Sequence, residues 1–223
     1  MAFYKKKVDS GAYDTCMCRG SNVFIPADGF AESVAKPALL LHSCCGPCST
    51  AVVERLADEF DITVFFYNPC ITDEEEYQRR KISQIKFIEE FNRENAGKVI
   101  IRFKEGDYRP SEFFKLTKDL ENEPEGGERC KVCFRQRLEK TSEMSVITGN
   151  EYFGTTLTVS PHKNYKLISQ IGNEIALKYG NTFLDRDFKK KDGFKRSIEL
   201  SKKYGLYRQN YCGCEYSNQL GDD

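Results

Sequence analysis

Ala38-Leu39-Leu40-Leu41-His42-Ser43-Cys44-Cys45-Gly46-Pro47-Cys48-Ser49 opens on an apolar run and breaks into a cysteine-rich turn. The run does not alternate apolar with polar, which predicts a strand buried on both faces, as in a parallel sheet. Pro47 suits the first turn of a helix, where its missing N–H is not needed. Val52, Val53, Leu56 and Ala57 then continue with helical spacing as far as Phe60. A strand, a tight turn and a helix start are the opening of a β-α-β unit, and the rest of the chain extends it.

Ile62 to Tyr67 reads as a second buried strand. Thr72 and Glu75 form a capping box for a helix to about Asn95, with Ile82, Ile85, Ile88 and Phe91 along one side. Val99 to Phe103 is a third strand, Ser111 caps a helix through Leu120, and a Gly-Gly loop leads into a helix carrying Cys130 and Cys133. Tyr152 to Leu157 is a fourth strand, a helix from Asn164 stops at Gly180, and Thr182 to Leu184 is a fifth strand. Phe194 to Tyr204 is helical, ending at Gly205. The expected fold class is α/β, a parallel sheet with helices on both faces. Residues 36–217 make the domain, 1–35 an N-terminal extension containing Cys16 and Cys18, and 218–223 a tail.

With 39% hydrophobic and 30% charged residues in 223, the chain has the composition of a globular protein and not a disordered one. No stretch approaches the roughly 18 apolar residues that span a bilayer. Met1 to Lys7 lacks the apolar core of a signal peptide. The expectation is a cytoplasmic protein with no membrane partner, where clustered thiols favour metal or redox chemistry over structural disulfides. The net charge is zero, but residues 161–210 carry twelve Lys or Arg against five Asp or Glu. Residues 105–128 reverse the balance, with eight acidic against three basic. Lys189-Lys190-Lys191 and Arg208 lie in the basic stretch, which reads either as a phosphate-backbone surface or as a solvated helix face.

The cysteines carry the chemistry. Cys44, Cys45 and Cys48 fall at the carboxyl end of a strand and the start of a helix, where ligand sites of open α/β sheets gather and the helix dipole favours thiolate. Cys130 and Cys133, three apart, share one helical face. With Cys44 and Cys45 they supply the four thiolates that an iron–sulfur cluster requires, a structural zinc being the blander alternative. Cys212-Gly213-Cys214 is different in kind: a disulfide across one residue closes a strained ring and is oxidising, which suits a pair that cycles between dithiol and disulfide, the other reading being a further metal-ligand pair. Cys70 reads as an incidental thiol at a strand end. His42 and His162 have no nucleophile at an interpretable spacing, and cysteines fill the turn where an ATP-cleaving relative would carry a Ser/Gly-rich phosphate loop.

At these residues the chain resembles the QueH-type epoxyqueuosine reductases. The resemblance runs from Pro37 to Ser217 through Leu40 to Ser49, Tyr67-Asn68-Pro69 with Glu76-Tyr77, Glu105 to Tyr108, and Arg129-Cys130-x-x-Cys133-Phe134-x-x-Arg137-Leu138. It continues through Thr155-Thr156-Leu157, Ser160-Pro161, Asp187 to Gly193 and Tyr207 to Cys214. Two departures are Cys70, where the family often has Asn, and residues 1–35, which have no matched counterpart.

The resemblance implies a Rossmann-like (HUP-like) domain that removes the epoxide oxygen of epoxyqueuosine in the anticodon loop of tRNA, the last step of queuosine formation. It implies a 4Fe–4S cluster on Cys44, Cys45, Cys130 and Cys133, a redox-active Cys212–Cys214 pair, and Cys48 as the source of a ligand to one additional iron. Lys189, Lys190, Lys191 and Arg208 would hold the tRNA backbone, and an external electron donor would supply the reaction. No proton donor is identifiable from the sequence. The competing readings are a zinc-stabilised RNA-binding module and a metal-free thiol–disulfide oxidoreductase.

Overall fold

Residues 35–218 are described by a computed structural model. The readings placed on residues 1–34, with Cys16 and Cys18, lie outside the described residues. Five parallel strands form one sheet in the order β3-β2-β1-β4-β5: β1 (Ala38–His42), β2 (Asp61–Phe66), β3 (Arg102–Glu105), β4 (Tyr152–Thr155) and β5 (Thr182–Phe183). The Rossmann-like α/β expectation is borne out. Leu39, Leu40 and Leu41 are fully buried, which explains the unbroken apolar run: β1 is central and covered on both faces. Burying each such side chain contributes about 2 kcal/mol.

Successive β1 residues face opposite layers. Leu39 and Leu41 pack with residues of α1 (Gly46–Leu56), α2 (Glu74–Glu94) and α6 (Gly193–Lys203). On the other face, α4 (Glu128–Ile147) and α5 (Tyr165–Tyr179) pack on β4 and β5 through Phe134, Leu138, Phe153, Ile168 and Phe183. A short α3 (Pro110–Leu116) joins β3 to α4, and α7 (Glu215–Asn218) follows the last cysteine. Because β1 pairs with β2 on one side and β4 on the other, the chain reverses its direction of sheet building there. Such a switch point opens a crevice at the carboxyl ends of the strands, and the turn Ser43–Cys48 sits in it.

Several boundaries differ from the expectations for identifiable reasons. The cap of α2 is Asp73, which accepts from Glu76 N at 2.7 Å, and not Thr72. The buried side of α2 is Tyr77, Arg80, Gln84, Phe87, Ile88 and Phe91, whereas Ile82 is 64% exposed. The third strand begins at Arg102 because the Asn92 amide bonds both the N–H and the C=O of Ile101, at 2.8 and 2.9 Å, taking the place of a strand partner. The α3 helix starts at Pro110 with Arg109 as its cap and ends at Leu116, short of the expected Leu120. The fourth strand stops at Thr155, whose hydroxyl caps a 3-10 turn over Thr156–Val159. Gly180 ends α5 in the left-handed conformation, at φ 71°.

Gly46 shows how closely the site's turn is fitted to its neighbour. A Cβ there would lie 2.6 Å from the Ser83 carbonyl oxygen on α2, and that backbone cannot move aside cheaply. Gly46→Ala is expected to destabilise the protein by about 2 kcal/mol in urea denaturation. An unchanged midpoint would show that α1 and α2 are not held at this distance.

Candidate functional site

The cysteine turn is fixed from below by the sheet and from the side by α2. Ser43 N donates to Phe65 O at 2.9 Å, which extends the β1–β2 pairing by one residue. Ser43 Oγ donates to Gln84 Oε1 at 2.7 Å, and Asn68 Nδ2 donates to Ser43 O at 2.9 Å. His42, fully buried, spans the strand ends with Nδ1 3.0 Å from Thr155 Oγ1 and Nε2 3.1 Å from Tyr67 O. Burial, and then the Arg137 charge, lower its pKa to about 4, so it is a neutral brace. On this base the sulfurs of Cys44, Cys45 and Cys48 lie within 4.8 Å of one another at the N-terminus of α1.

That spacing suits a shared metal and makes the three thiols compete for charge. Hydrogen bonds from Cys45 and Cys48 hold the Cys44 pKa well below the ordinary thiol value, with burial opposing and Arg137 assisting. Cys45 is pushed up to about 12 and Cys48 is also raised, chiefly because each donates its proton toward Cys44. One anion per trio is the expected limit without a metal, since like charges this close cannot all ionise. Gln209 Nε2 also donates to Cys45 Sγ at 3.0 Å, and its Oε1 is buried with no partner.

The other cysteines arrive from three more segments. Cys133, in the second turn of α4, packs against Cys70 beside Phe113 and Cys214, so Cys70 is a buried part of the site and not incidental. Contact with Cys133 lowers the Cys70 pKa and raises that of Cys133. Cys130, half-buried, accepts from Gly126 N–H at 3.2 Å and packs against the apolar group that holds Cys44 and Cys45. The structure thus brings Cys44, Cys45 and Cys48 into one tight group. Cys130 and Cys133 lie outside that group, on the adjoining helix.

Cys212 and Cys214 are held by α2. Arg80, 1% exposed, bonds Glu76 Oε1 at 2.6 Å, Cys212 O at 2.9 Å and Tyr211 O at 3.2 Å. Tyr207 OH donates to the second Glu76 oxygen at 2.7 Å. Gly213 adopts φ 114°, and a Cβ there would meet Arg80 and Ile71 at 3.0 Å, so the sequence between the two cysteines has to be glycine. Cys212 faces a cavity of about 270 Å³ that it shares with Cys44 and Cys48, while Cys214 is buried behind it. The Cys212 pKa is held well below the ordinary value by the Cys214 hydrogen bond, with burial opposing and Lys163, Arg137 and Arg80 assisting. Cys214 is pushed up by the same hydrogen bond.

Arg137 unites the groups. It is 2% exposed, donates from Nε to Cys133 O at 3.1 Å, and buries its NH2 group without a partner. Burial works against its charge, but Cys133, Cys70, Cys44 and Cys212 outweigh that and raise its pKa. An orphaned guanidinium donor amid soft sulfur ligands fits a bound anionic metal–thiolate group. Of the basic residues, Arg208 reaches the cavity wall and bonds Ser201 Oγ at 3.0 Å. Lys190 and Lys191 are exposed on a turn whose carbonyls accept from Arg55 at 2.9 and 2.6 Å. Lys189 instead turns inward, its Nζ bonding Lys163 O at 3.0 Å.

Sequence reading missed Arg80 and the Cys70–Cys133 contact, and gave no role to Arg137 and Gln209, which stand in the quoted motifs. The available signal was positional: Arg137 falls one helical turn after Cys133, next to Phe134 and Leu138 on the apolar side. Arg80→Met is expected to destabilise the protein by about 3 kcal/mol in urea denaturation, because it strands Glu76 and frees two carbonyls. It should also speed alkylation of Cys214 in the reduced protein, as the turn loosens. Unchanged stability and unchanged labelling would show that Arg80 does not hold the pair.

Comparison with known proteins agrees with this geometry. The family described as "Epoxyqueuosine reductase QueH" matches residues 39–220. Curated proteins of that name include one from Streptococcus pyogenes serotype M1, 44% identical over 85% of this chain and 73% of its own. Another from Staphylococcus epidermidis is 42% identical, over 82% and 76%. One from Thermotoga maritima is 36% identical, over 80% and 89%. A turn of clustered thiols at the sheet's switch point, on a chain matched over most of its length, makes this protein a member of the QueH family.

Proposed function

We propose that this protein is an epoxyqueuosine reductase, which removes the epoxide oxygen of epoxyqueuosine in tRNA to leave queuosine and water. The observation that carries the reading is the buried Arg137, whose charge is held by Cys44, Cys70, Cys133 and Cys212 from four chain segments, beside a cavity lined by Cys44, Cys48 and Cys212. Residues 36–217 form the catalytic domain, in the cytoplasm. Cys44, Cys45, Cys130 and Cys133 would hold a 4Fe–4S cluster, and Cys48, beside the first two, would contribute to one additional iron.

When bound, such a group supplies single electrons and a Lewis acid for the epoxide oxygen. The chain's own residues do the rest. Arg137, itself withdrawn from water, neutralises sulfur charge, and Gln209 orients Cys45. Cys212, on the cavity wall, and Cys214 behind it form the dithiol that supplies the reducing equivalents. The exposed Lys190 and Lys191, with Lys189 and with Arg208 at the cavity, lie on the side where a tRNA backbone would rest while the modified base enters. An external electron donor resets the pair.

The test is conversion of epoxyqueuosine-bearing tRNA by anaerobically prepared protein, read as loss of one oxygen from the released nucleoside by mass spectrometry. Conversion is expected, and its absence with both dithiol and dithionite would overturn the reading. Cys212→Ala should keep its metal and lose turnover driven by a dithiol; full activity would remove the redox role. Reversing the charge at Lys190 and Lys191 should weaken tRNA binding more at low than at high salt. Equal weakening at both would show that this turn does not meet the phosphates.

A further inference from the structure

The reductase reading gives no role to Lys163, a charged group that lines the cavity. Lys163 lies in the turn between the 3-10 helix Thr156–Val159 and α5, where its N–H bonds Ser160 O and its carbonyl accepts from Lys189. Its ammonium group is 3.9 Å from Cys212 Sγ and 5.7 Å from the centre of the Phe134 ring. It lines the same cavity as Cys44, Cys48 and Cys212. The charges acting on it are Cys212, Cys44 and Cys133, which hold its proton, and Arg137, which repels it. Arg80, Glu125 and Arg208 are the other charged residues of the cavity wall, with the His162 ring beside them. No described carboxylate forms an ion pair with Lys163, so a sulfur anion is its counter-charge.

We propose that Lys163 is the acid of the reduction: it stores as ammonium the proton that Cys212 has given up, and delivers it to the substrate oxygen as Cys212 and Cys214 close to a disulfide. This rests on the reductase reading and adds the proton source that the sequence did not supply. Before reaction the groups are a Cys212 thiolate, a Lys163 ammonium and a Cys214 thiol. Forming the S–S bond releases two electrons, and Cys214 releases one proton. It also removes the negative charge facing Lys163, leaving the ammonium against Arg137 in a half-buried position where its charge is disfavoured. Lys163 then releases the second proton. On the substrate side, two C–O bonds break, one C=C π bond forms and one water leaves, taking up two electrons and two protons. An external dithiol then reduces the disulfide and returns both protons.

The pKa directions agree: Cys212 is held low, and for Lys163 burial opposes the charge but Cys212, Cys44 and Cys133 together outweigh it and raise its pKa. The geometry also explains why Cys212, not Cys214, carries the negative charge. Cys212 faces the ammonium, whereas the Cys214 thiol donates to Ser217 Oγ at 3.7 Å.

The test uses the full chain prepared without oxygen and loaded with its metal, as wild type, Lys163→Met and Lys163→Arg. Two quantities are read. One is the pH midpoint of Cys212 alkylation by iodoacetamide in the reduced protein, resolved by mass spectrometry. The other is the pH profile of single-turnover deoxygenation of epoxyqueuosine tRNA by dithiol-reduced enzyme. Lys163→Met is expected to raise the alkylation midpoint by about one pH unit. It should slow single turnover about 100-fold with unchanged tRNA Kd. Lys163→Arg should restore the midpoint but not the rate, because a guanidinium keeps its proton. Three results would overturn the proposal: no change in Lys163→Met, a loss confined to tRNA affinity, or full rescue of the rate by Arg. Failure of the reductase reading itself is distinguishable, since wild-type protein would then form no deoxygenated nucleoside at all.

Discussion

Arg137 imposes the condition that the rest of the site satisfies. A guanidinium withdrawn from water costs several kcal/mol unless it is paired, and its NH2 group has no protein acceptor. Its compensation comes from sulfur: Cys133, Cys70, Cys44 and Cys212, from four different segments, all act to hold its charge. Without a metal, the trio of Cys44, Cys45 and Cys48 accommodates one negative charge, because the other two thiols are pushed up. A metal–thiolate group removes that limit, since coordinated thiols are deprotonated outright. The buried cation and the crowded thiols therefore make sense together as a site whose net charge is settled by what it binds.

A second buried cation does mechanical work. Arg80 links α2 to the backbone of the C-terminal turn, and Glu76 and Tyr207 complete the tie. Cys212 and Cys214 are thereby held opposite a turn more than 160 residues earlier in the chain. Thr72 N adds a bond to Gly213 O at 3.1 Å, so both ends of that dipeptide are fixed. What remains free is the Cys212 side chain, which reaches the cavity between the trio and Lys163.

The sheet was legible because it rests on burial alone. Leu39 to Leu41 are apolar without interruption and Ile62 to Phe66 are broken only by Thr63, and runs this short suit a strand covered on both sides. Legibility failed where a side chain replaced a backbone partner, as Asn92 does at Ile101, and where polar groups entered the core. The isoleucine row of α2 looked like its buried side, and Ile88 and Phe91 are buried, yet the helix is turned so that Ile82 faces out and Arg80 and Gln84 point inward to serve the site. The cysteine clusters announced the chemistry but not their grouping. That Cys70 meets Cys133, and that Lys163 meets Cys212, depends on how the β2–α2 and 3-10–α5 turns fold over the sheet edge. Buried charges resemble solvated ones in a sequence, so Arg137 and Lys163 carried no mark beyond their neighbours.

The account stands on the claim that these thiols hold an iron–sulfur group. Iron, zinc and acid-labile sulfide content, with a visible spectrum, on full-length protein purified without oxygen tests it most directly. A brown protein with iron and sulfide each near about four per chain, or iron slightly in excess, is the predicted result. A colourless protein with about one zinc and no sulfide would contradict it and turn the crevice into a structural metal site.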